Sequence, residues 1–389
     1  MMKGLASILV EITSRSLDLT IFSGPDPEKS FPKNIDQRPI KENIYFPGIE
    51  KSKIIYFNNL HNLDKIVQKE QITDLITTDI RKEEECFDAI KNIHQKGIKT
   101  HYIQFYGDFL YMENDSLEAV NNFFVYGKEM KEIYKRTYPN ISQKEINKIK
   151  IIGNPAIDFI KNIDINKTKE KYNLPKNKKI IVFFSTITNL DYFRKNIFTN
   201  NSKLKSLLKI IKDGKIEYIP LIFKSNYKDI IIHLKKWSDE NNAIIILKTK
   251  IKHNDPEYLR KRIYKSLSDK TSWHPSMSLE LISISDLVLS MSFSTTLESI
   301  TLNKPSIQIL DPTQNNNRKT KELNNSIIKN FKNTAHFIYY TQFIKFLKQN
   351  KSINSMQKNQ NNQNKIETFF GPQDYSASKR LIDKIIRNM

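Results

Sequence analysis

The stretch ISDLVLSMSFSTTLESITLNKPSIQILDP, residues 284–312, decides the fold. Its pattern predicts a buried strand over 287–290, a hydroxyl-rich turn over 292–296, a short helix over about 297–302 and a second strand over 306–310. Strand, turn, helix, strand is the repeating unit of a parallel sheet, and such sheets bind ligands at the carboxyl ends of their strands. The turn is therefore the first candidate site. At a helix start several N–H groups lack intrahelical partners, and the helix dipole adds partial positive charge, so an anion is favoured there. Ser292, Ser294, Thr295 and Thr296 add hydroxyl donors without bulk, a set against which a diphosphate can lie. Thr295 and Glu298 also have the spacing of a capping box, a purely structural alternative.

Working outward, the 389 residues suffice for two domains, each with its own core. No apolar run approaches the roughly 20 residues needed to cross a bilayer. The opening MMKGLASILVEITSRS has only a short apolar patch, so no cleaved leader is expected and the chain reads as cytoplasmic. Cys86 is the single cysteine, which excludes an internal disulfide and a zinc knuckle; it is expected on a helix, buried or half-buried. A net charge of +21 favours anionic partners and admits peripheral contact with the anionic inner face of a membrane. Neither zinc-finger spacing nor the aromatic signature of an RNA-recognition sheet is present, so no specific nucleic-acid partner is expected.

Residues 1–50 give no confident elements. From Lys53 the pattern predicts strands over 53–59, 74–79, 99–105, 123–127 and 148–152, separated by helices over 61–70, 81–95, 116–122 and 128–138. Gly153, Asn154 and Pro155 then make a tight turn into a further helix that carries Asp158. Residues 167–179 are polar and read as a linker. Beyond them come strands over 179–186, 218–225 and 243–248, helices over 201–212, 227–240 and 276–283, and the unit quoted first. The run TQNNNRKT reads as a loop, residues 349–365 as a polar flexible segment, and residues 376–388 as an amphipathic helix. The expected architecture is α/β with two Rossmann-like domains facing a cleft: residues 1–165 on the acceptor side, 178–348 on the nucleotide-donor side, and a crossing helix within 366–389.

Four segments, taken in order, resemble GT-B type glycosyltransferases and their relatives in bacterial surface-polysaccharide synthesis, including Kdo-transferase-like and CDP-glycerol glycerophosphotransferase-like proteins. They are FFVYGKEMKEIY (123–134), IIGNPAID (151–158), the donor-site-like ISDLVLSMSFSTTLESITLNKPSI (284–307), and FFGPQDYSASKRLID (369–383). The resemblance implies two Rossmann-like domains, with the last helix returning to the first. It implies sugar transfer from a nucleotide-activated donor, UDP-, CMP- or CDP-linked, to a glycan or lipid-linked hydroxyl acceptor. No bound cofactor or metal is expected, so N–H groups, hydroxyls and cations must stabilise the leaving phosphate. Ser294, Thr295 and Thr296 are the phosphate candidates, Glu298 the ribose ligand, and Lys224 and Arg194 the cationic support. For the general base the candidates are Asp108, which follows a β-run and Gly107, and His274. Asp79 and His101 are further choices, although His101 lies inside a strand, where packing is the commoner role.

Departures from the resemblance keep other readings open. Where relatives carry Lys-x-His-Pro after the second strand of the carboxyl domain, the chain has FKSNY at 223–227. Ser292-Phe293-Ser294 stands where epimerases and retaining transferases carry Gly-Gly, which argues against those relatives. A CDP-glycerol glycerophosphotransferase-like enzyme, a nucleotide-sugar epimerase and a non-catalytic polysaccharide-assembly protein remain the alternatives.

Overall fold

The computed structural model of the chain describes residues 2–18, 20–23, 53–56, 60–78, 86–104, 116–185, 227–249, 262–268, 276–310, 318–339, 342–356 and 363–387. Strands are numbered β1 (Thr20–Ser23), β2 (Lys53–Tyr56), β3 (Asp74–Thr77), β4 (Lys99–Ile103), β5 (Asn122–Val125), β6 (Ile149–Ile151), β7 (Lys179–Ser185), β8 (Ala243–Thr249), β9 (Lys265–Ser268), β10 (Leu287–Ser290), β11 (Ser306–Leu310) and β12 (His336–Tyr339). Helices are α1 (Met2–Ser14), α2 (Leu63–Lys69), α3 (Cys86–Gln95), α4 (Lys128–Thr137), α5 (Gln143–Lys148), α6 (Ile165–Lys171), α7 (Tyr227–Glu240), α8 (Met277–Ile284), α9 (Phe293–Thr301), α10 (Arg318–Phe331), α11 (Phe343–Gln349), α12 (Gln363–Phe370) and α13 (Ala377–Ile386). Short 3-10 turns cover Ser116–Ala119, where the sequence suggested a longer helix, and Pro155–Asn162. The helix over 201–212 and the strand over 218–225 expected from sequence lie outside the described residues.

All described strand pairs are parallel. They form a two-stranded unit β1-β2, a sheet in the order β3-β4-β5-β6, and a separate six-stranded sheet in the order β12-β11-β10-β7-β8-β9. The four- and six-stranded sheets carry helices on both faces, which is why central strands such as β7 and β10 are apolar on both sides rather than alternating. On one face of the first sheet, Tyr102, Phe123 and Val125 meet Val67, Phe87, Ile90 and Ile133 of α2, α3 and α4. On the other, Ile103, Phe124 and Ile152 lie under Ile8 and Ile12 of α1 and Leu381, Ile382 and Ile385 of α13. Burying one such side chain stabilises the fold by roughly 1.5–3 kcal/mol. The last helix has thus returned to the first domain, and α1 occupies a segment in which the sequence pattern showed no element.

Two other segments depart from expectation. The polar run read as a linker begins inside α6, whose N-cap Asp164 accepts from Asn166 N–H (2.9 Å) and Lys167 N–H (3.1 Å). It continues through Tyr172 and Leu174, which are buried with Ile180 and Val182 of the second sheet. Residues 349–356, read as flexible, are folded onto the second domain. Ile353 and Met356 enter its core, and Trp237 Nε1–H donates to the Asn350 carbonyl (2.7 Å). Here a few apolar anchors outweigh a polar composition.

His101 is completely buried in β4. Its Nε2–H donates to Asp74 Oδ1 (3.0 Å), and its Nδ1 accepts from Asn122 Nδ2 (3.1 Å), which fixes one neutral tautomer. This is the packed role. Burial lowers its pKa from the ordinary 6.5, opposed by Asp74. Burial, followed by the Lys148 charge, also lowers that of His94. Below the unfolded pKa of 6.5 the unfolded chain therefore binds more protons than the folded one, and stability falls with falling pH. Urea unfolding at pH 7.5, 6.5 and 5.5 is expected to show a loss of at most about 1.4 kcal/mol per pH unit for each such histidine. A flat profile would contradict neutral burial.

Candidate functional site

In the second sheet the chain leaves β7 toward β8 and β9 on one side, then returns to β10, β11 and β12 on the other. Strand order reverses between β7 and β10. Helix α7 packs on one face with Phe183 and Ile245, and α8 on the other with Val182 and Phe184. Helices diverge to opposite faces at such a reversal and open a crevice above the carboxyl ends of the two strands, the usual ligand position in an open α/β sheet. Among the described residues, those at the carboxyl ends of the two strands are Ser185, ending β7, and the turn from Ser290 to Ser294.

The Ser290 hydroxyl donates to the Ser292 carbonyl (2.8 Å) and accepts from Ser292 N–H (3.0 Å), closing a tight turn. Helix α9 then begins at Phe293, four residues before the position the sequence suggested, with extended Ser292 as its N-cap. Thr295 and Glu298 therefore both lie inside the helix and do not form a capping box. The N-cap hydroxyl makes no bond to a helix N–H. Instead Ser292 Oγ and Ser294 Oγ pair with each other at 2.8 Å. The first bond of the helical ladder runs from Thr296 N–H to Ser292 O (3.2 Å), so the N–H groups of Phe293, Ser294 and Thr295 precede it.

The structure divides the expected phosphate set. Ser292 and Ser294 are half-buried at the helix start, with their hydroxyls at the crevice end. Thr295 is 9% exposed. Thr296 is fully buried, and its hydroxyl donates to Gln308 Oε1 of β11, so it faces the sheet and is removed from the phosphate candidates. Glu298, one turn further on, is a buried acid. Asp79, Asp108, Arg194, Lys224 and His274 lie outside the described residues.

One residue that sequence reasoning passed over enters the set. Lys248 is only 6% exposed, near the carboxyl end of β8. By register it lies opposite Phe184, which in turn lies opposite Ser290, so the three are level across adjacent strands. Two strand spacings of about 4.8 Å each separate its backbone from the turn. Residues 223–226, where relatives carry Lys-x-His-Pro, lie outside the described residues, and the described neighbour of β7 is β8. A lysine closing the apolar run IIIL was the available signal. Among the described residues no cluster of three or more His, Cys, Asp or Glu side chains is arranged to hold a metal. No helix there is long and apolar enough to cross a membrane.

The other three resembling segments meet at the domain crossing. Helix α12 lies against α4, with Phe369 and Phe370 in the first core. The chain then passes through Gly371 (φ +74°) and over Gly153 (φ +94°). A Cβ on Gly371 would stand 2.5 Å from the Tyr126 carbonyl oxygen and 2.7 Å from Gly153 Cα. Asp158 Oδ1 and Oδ2 accept from Ala377 N–H (3.1 Å) and Ser378 N–H (2.7 Å), capping α13 from a distant part of the sequence. Arg380 Nε–H donates to the Ile152 carbonyl (2.7 Å), and Ser378 Oγ–H donates to Ser7 Oγ (2.9 Å).

No protein-family model and no curated protein matches the sequence. Solved structures do match over nearly the whole chain. A UDP-GlcNAc 2-epimerase from Neisseria meningitidis bound to UDP-GlcNAc has 12% identity and a TM-score of 0.58, covering 99% of this chain and 96% of that one. A variant of the wall teichoic acid polymerase TagF has 12% identity and a TM-score of 0.53, covering 100% and 94%. A glycosyltransferase from Rickettsia africae ESF-5 has 14% identity and a TM-score of 0.50, covering 99% and 95%. At these identities the likeness speaks for architecture. Two parallel sheets, a strand-order reversal in the second and a last helix returned to the first together give the chain a GT-B type fold.

Proposed function

We propose that the chain is a glycosyltransferase that moves a sugar from a nucleotide-activated donor to a hydroxyl of a glycan or lipid-linked acceptor. The observation that carries this reading is the uncapped start of α9 at the strand-order reversal of the second sheet. Donor phosphates would take the N–H groups of Phe293, Ser294 and Thr295 and the paired hydroxyls of Ser292 and Ser294. Lys248 supplies cationic support, and Glu298 accepts from the ribose hydroxyls. In the transfer the acceptor oxygen bonds to the anomeric carbon, the bond from that carbon to the phosphate oxygen breaks, and the acceptor proton passes to a base, for which Asp108 is the sequence candidate. Charge develops on the leaving phosphate, where fixed donors stabilise it most. The reading needs no metal at the phosphate.

A thermal-shift screen against UDP, CMP, CDP and GDP identifies the nucleotide. The double variant Ser292→Ala/Ser294→Ala is expected to weaken its binding by about 1–3 kcal/mol while the fold persists by circular dichroism. Glu298→Gln is expected to weaken binding with little change in melting temperature, because a charged acceptor holds hydroxyls more strongly than a neutral amide. Unchanged dissociation constants in both variants would remove the site. Epimerisation of the donor sugar without acceptor would replace transfer with the alternative reaction in the same crevice.

A further inference from the structure

Helix α9 carries the proposed phosphate site at its first turn, and two opposed surfaces hold it. Leu297 and Ile300 enter the core of the first domain, together with Phe331, Phe369 and Phe370. Toward the second sheet, Phe293 stacks on Phe337 of β12 (6.3 Å), and the hydroxyl of Thr296 meets the amide of Gln308. Gln308 is 1% exposed in the interior of β11, between Ile307 and Ile309, a position where an apolar residue would serve packing as well. A polar side chain so deeply buried costs stability unless it is paired. Its oxygen accepts from Thr296, and its Nε2–H reaches the Ile309 carbonyl (3.2 Å). Apolar contacts tolerate a helix that slides or rotates by a fraction of a turn, whereas a hydrogen bond restricts distance and angle together.

We propose that Gln308 is a positioning residue for nucleotide binding: through Thr296 it fixes the rotation and axial position of α9, and so aims the N–H groups of Phe293, Ser294 and Thr295 at the crevice. The inference rests on the nucleotide site proposed above. Thr296 stands one residue past the last of these groups, so a shift at Thr296 is transmitted to them with little attenuation. Gln308 touches no ligand in this scheme and acts only by setting where the helix start lies.

The test is a double-mutant cycle on the full chain, with the dissociation constant of UDP measured by calorimetry, or that of CMP, CDP or GDP if the screen selects it. Gln308→Met and Thr296→Val remove the two ends of the bond at nearly constant volume. Each is expected to weaken binding by about 3- to 10-fold, the equivalent of one hydrogen bond, and the double variant by no more than either alone. Thr296→Ser keeps the donor, and parent affinity is expected to return. Lower melting temperatures with unaltered affinity, or effects that multiply in the double variant, would overturn the inference. Ser292→Ala/Ser294→Ala, run in parallel, separates the two readings. If it weakens binding while Gln308→Met does not, only the positioning role falls. If the unaltered chain binds none of the four nucleotides of the screen, both fall.

Discussion

Gly371→Ala is expected to destabilise the chain by about 2–5 kcal/mol. Two costs add. An alanine at φ +74° is held in the left-handed region, which costs roughly 1–2 kcal/mol. Its methyl would also meet backbone of Tyr126 and Gly153, neither of which can rotate aside, and overpacking of this kind costs roughly 1–3 kcal/mol or more. Gly97 provides the control, since it has φ +86° with nothing within 4 Å of the added Cβ. Gly97→Ala should therefore show the conformational cost alone. Urea unfolding of both variants measures the difference, and equal losses would show that the crossing is not closely packed.

The second large effect is expected at Asp158. Asp158→Ala leaves the N–H groups of Ala377 and Ser378 without their acceptor at the start of α13, inside a buried seam. Burial raises the pKa of this carboxyl above the usual carboxylate range, while the bonds from Ser378 and Ala377 pull it down, so the charge is held at a cost that those bonds partly offset. Removing the carboxylate should cost about 2–4 kcal/mol, with Asp158→Asn intermediate because its amide keeps one acceptor oxygen. Hydrogen exchange should report the loss first in residues 377–386. A uniform loss of protection across both sheets would instead mean that α13 unfolds only with the whole molecule.

Strand positions were legible because runs such as IIVFF and LVLS have no polar face, the mark of a parallel sheet covered on both sides. Two central strands, β10 and β11, fall where the pattern placed them. The start of α9 did not, because Ser292-Phe293-Ser294-Thr295-Thr296 has a turn-like composition. Its helical state depends on partners remote in sequence, Phe337 stacked 6.3 Å from Phe293 and Gln308 bonded to Thr296. Lys248 and Gln308 each read as one polar residue within an apolar strand, and only register shows that the first is level with the Ser290 turn and the second under α9. IIGNPAID and YSASKR were recognisable as separate segments. That the acid of one caps the helix of the other is invisible to any local pattern, because 219 residues separate Asp158 from Ala377.

That separation sets an order of events during synthesis. Once residues up to about 160 have left the ribosome, β3 to β6 and helices α2, α3 and α4 are complete, yet Ile103, Phe124 and Ile152 still lack the cover that Leu381, Ile382 and Ile385 supply. At a translation rate of roughly 5–20 residues per second, some 10–45 seconds pass before residues 377–386 emerge. Throughout that interval the nascent first domain shows an apolar sheet face that, among the described residues, only α1 covers. Ribosome-bound chains halted before and after residue 386 should differ accordingly in their capture by chaperones that bind exposed apolar surface.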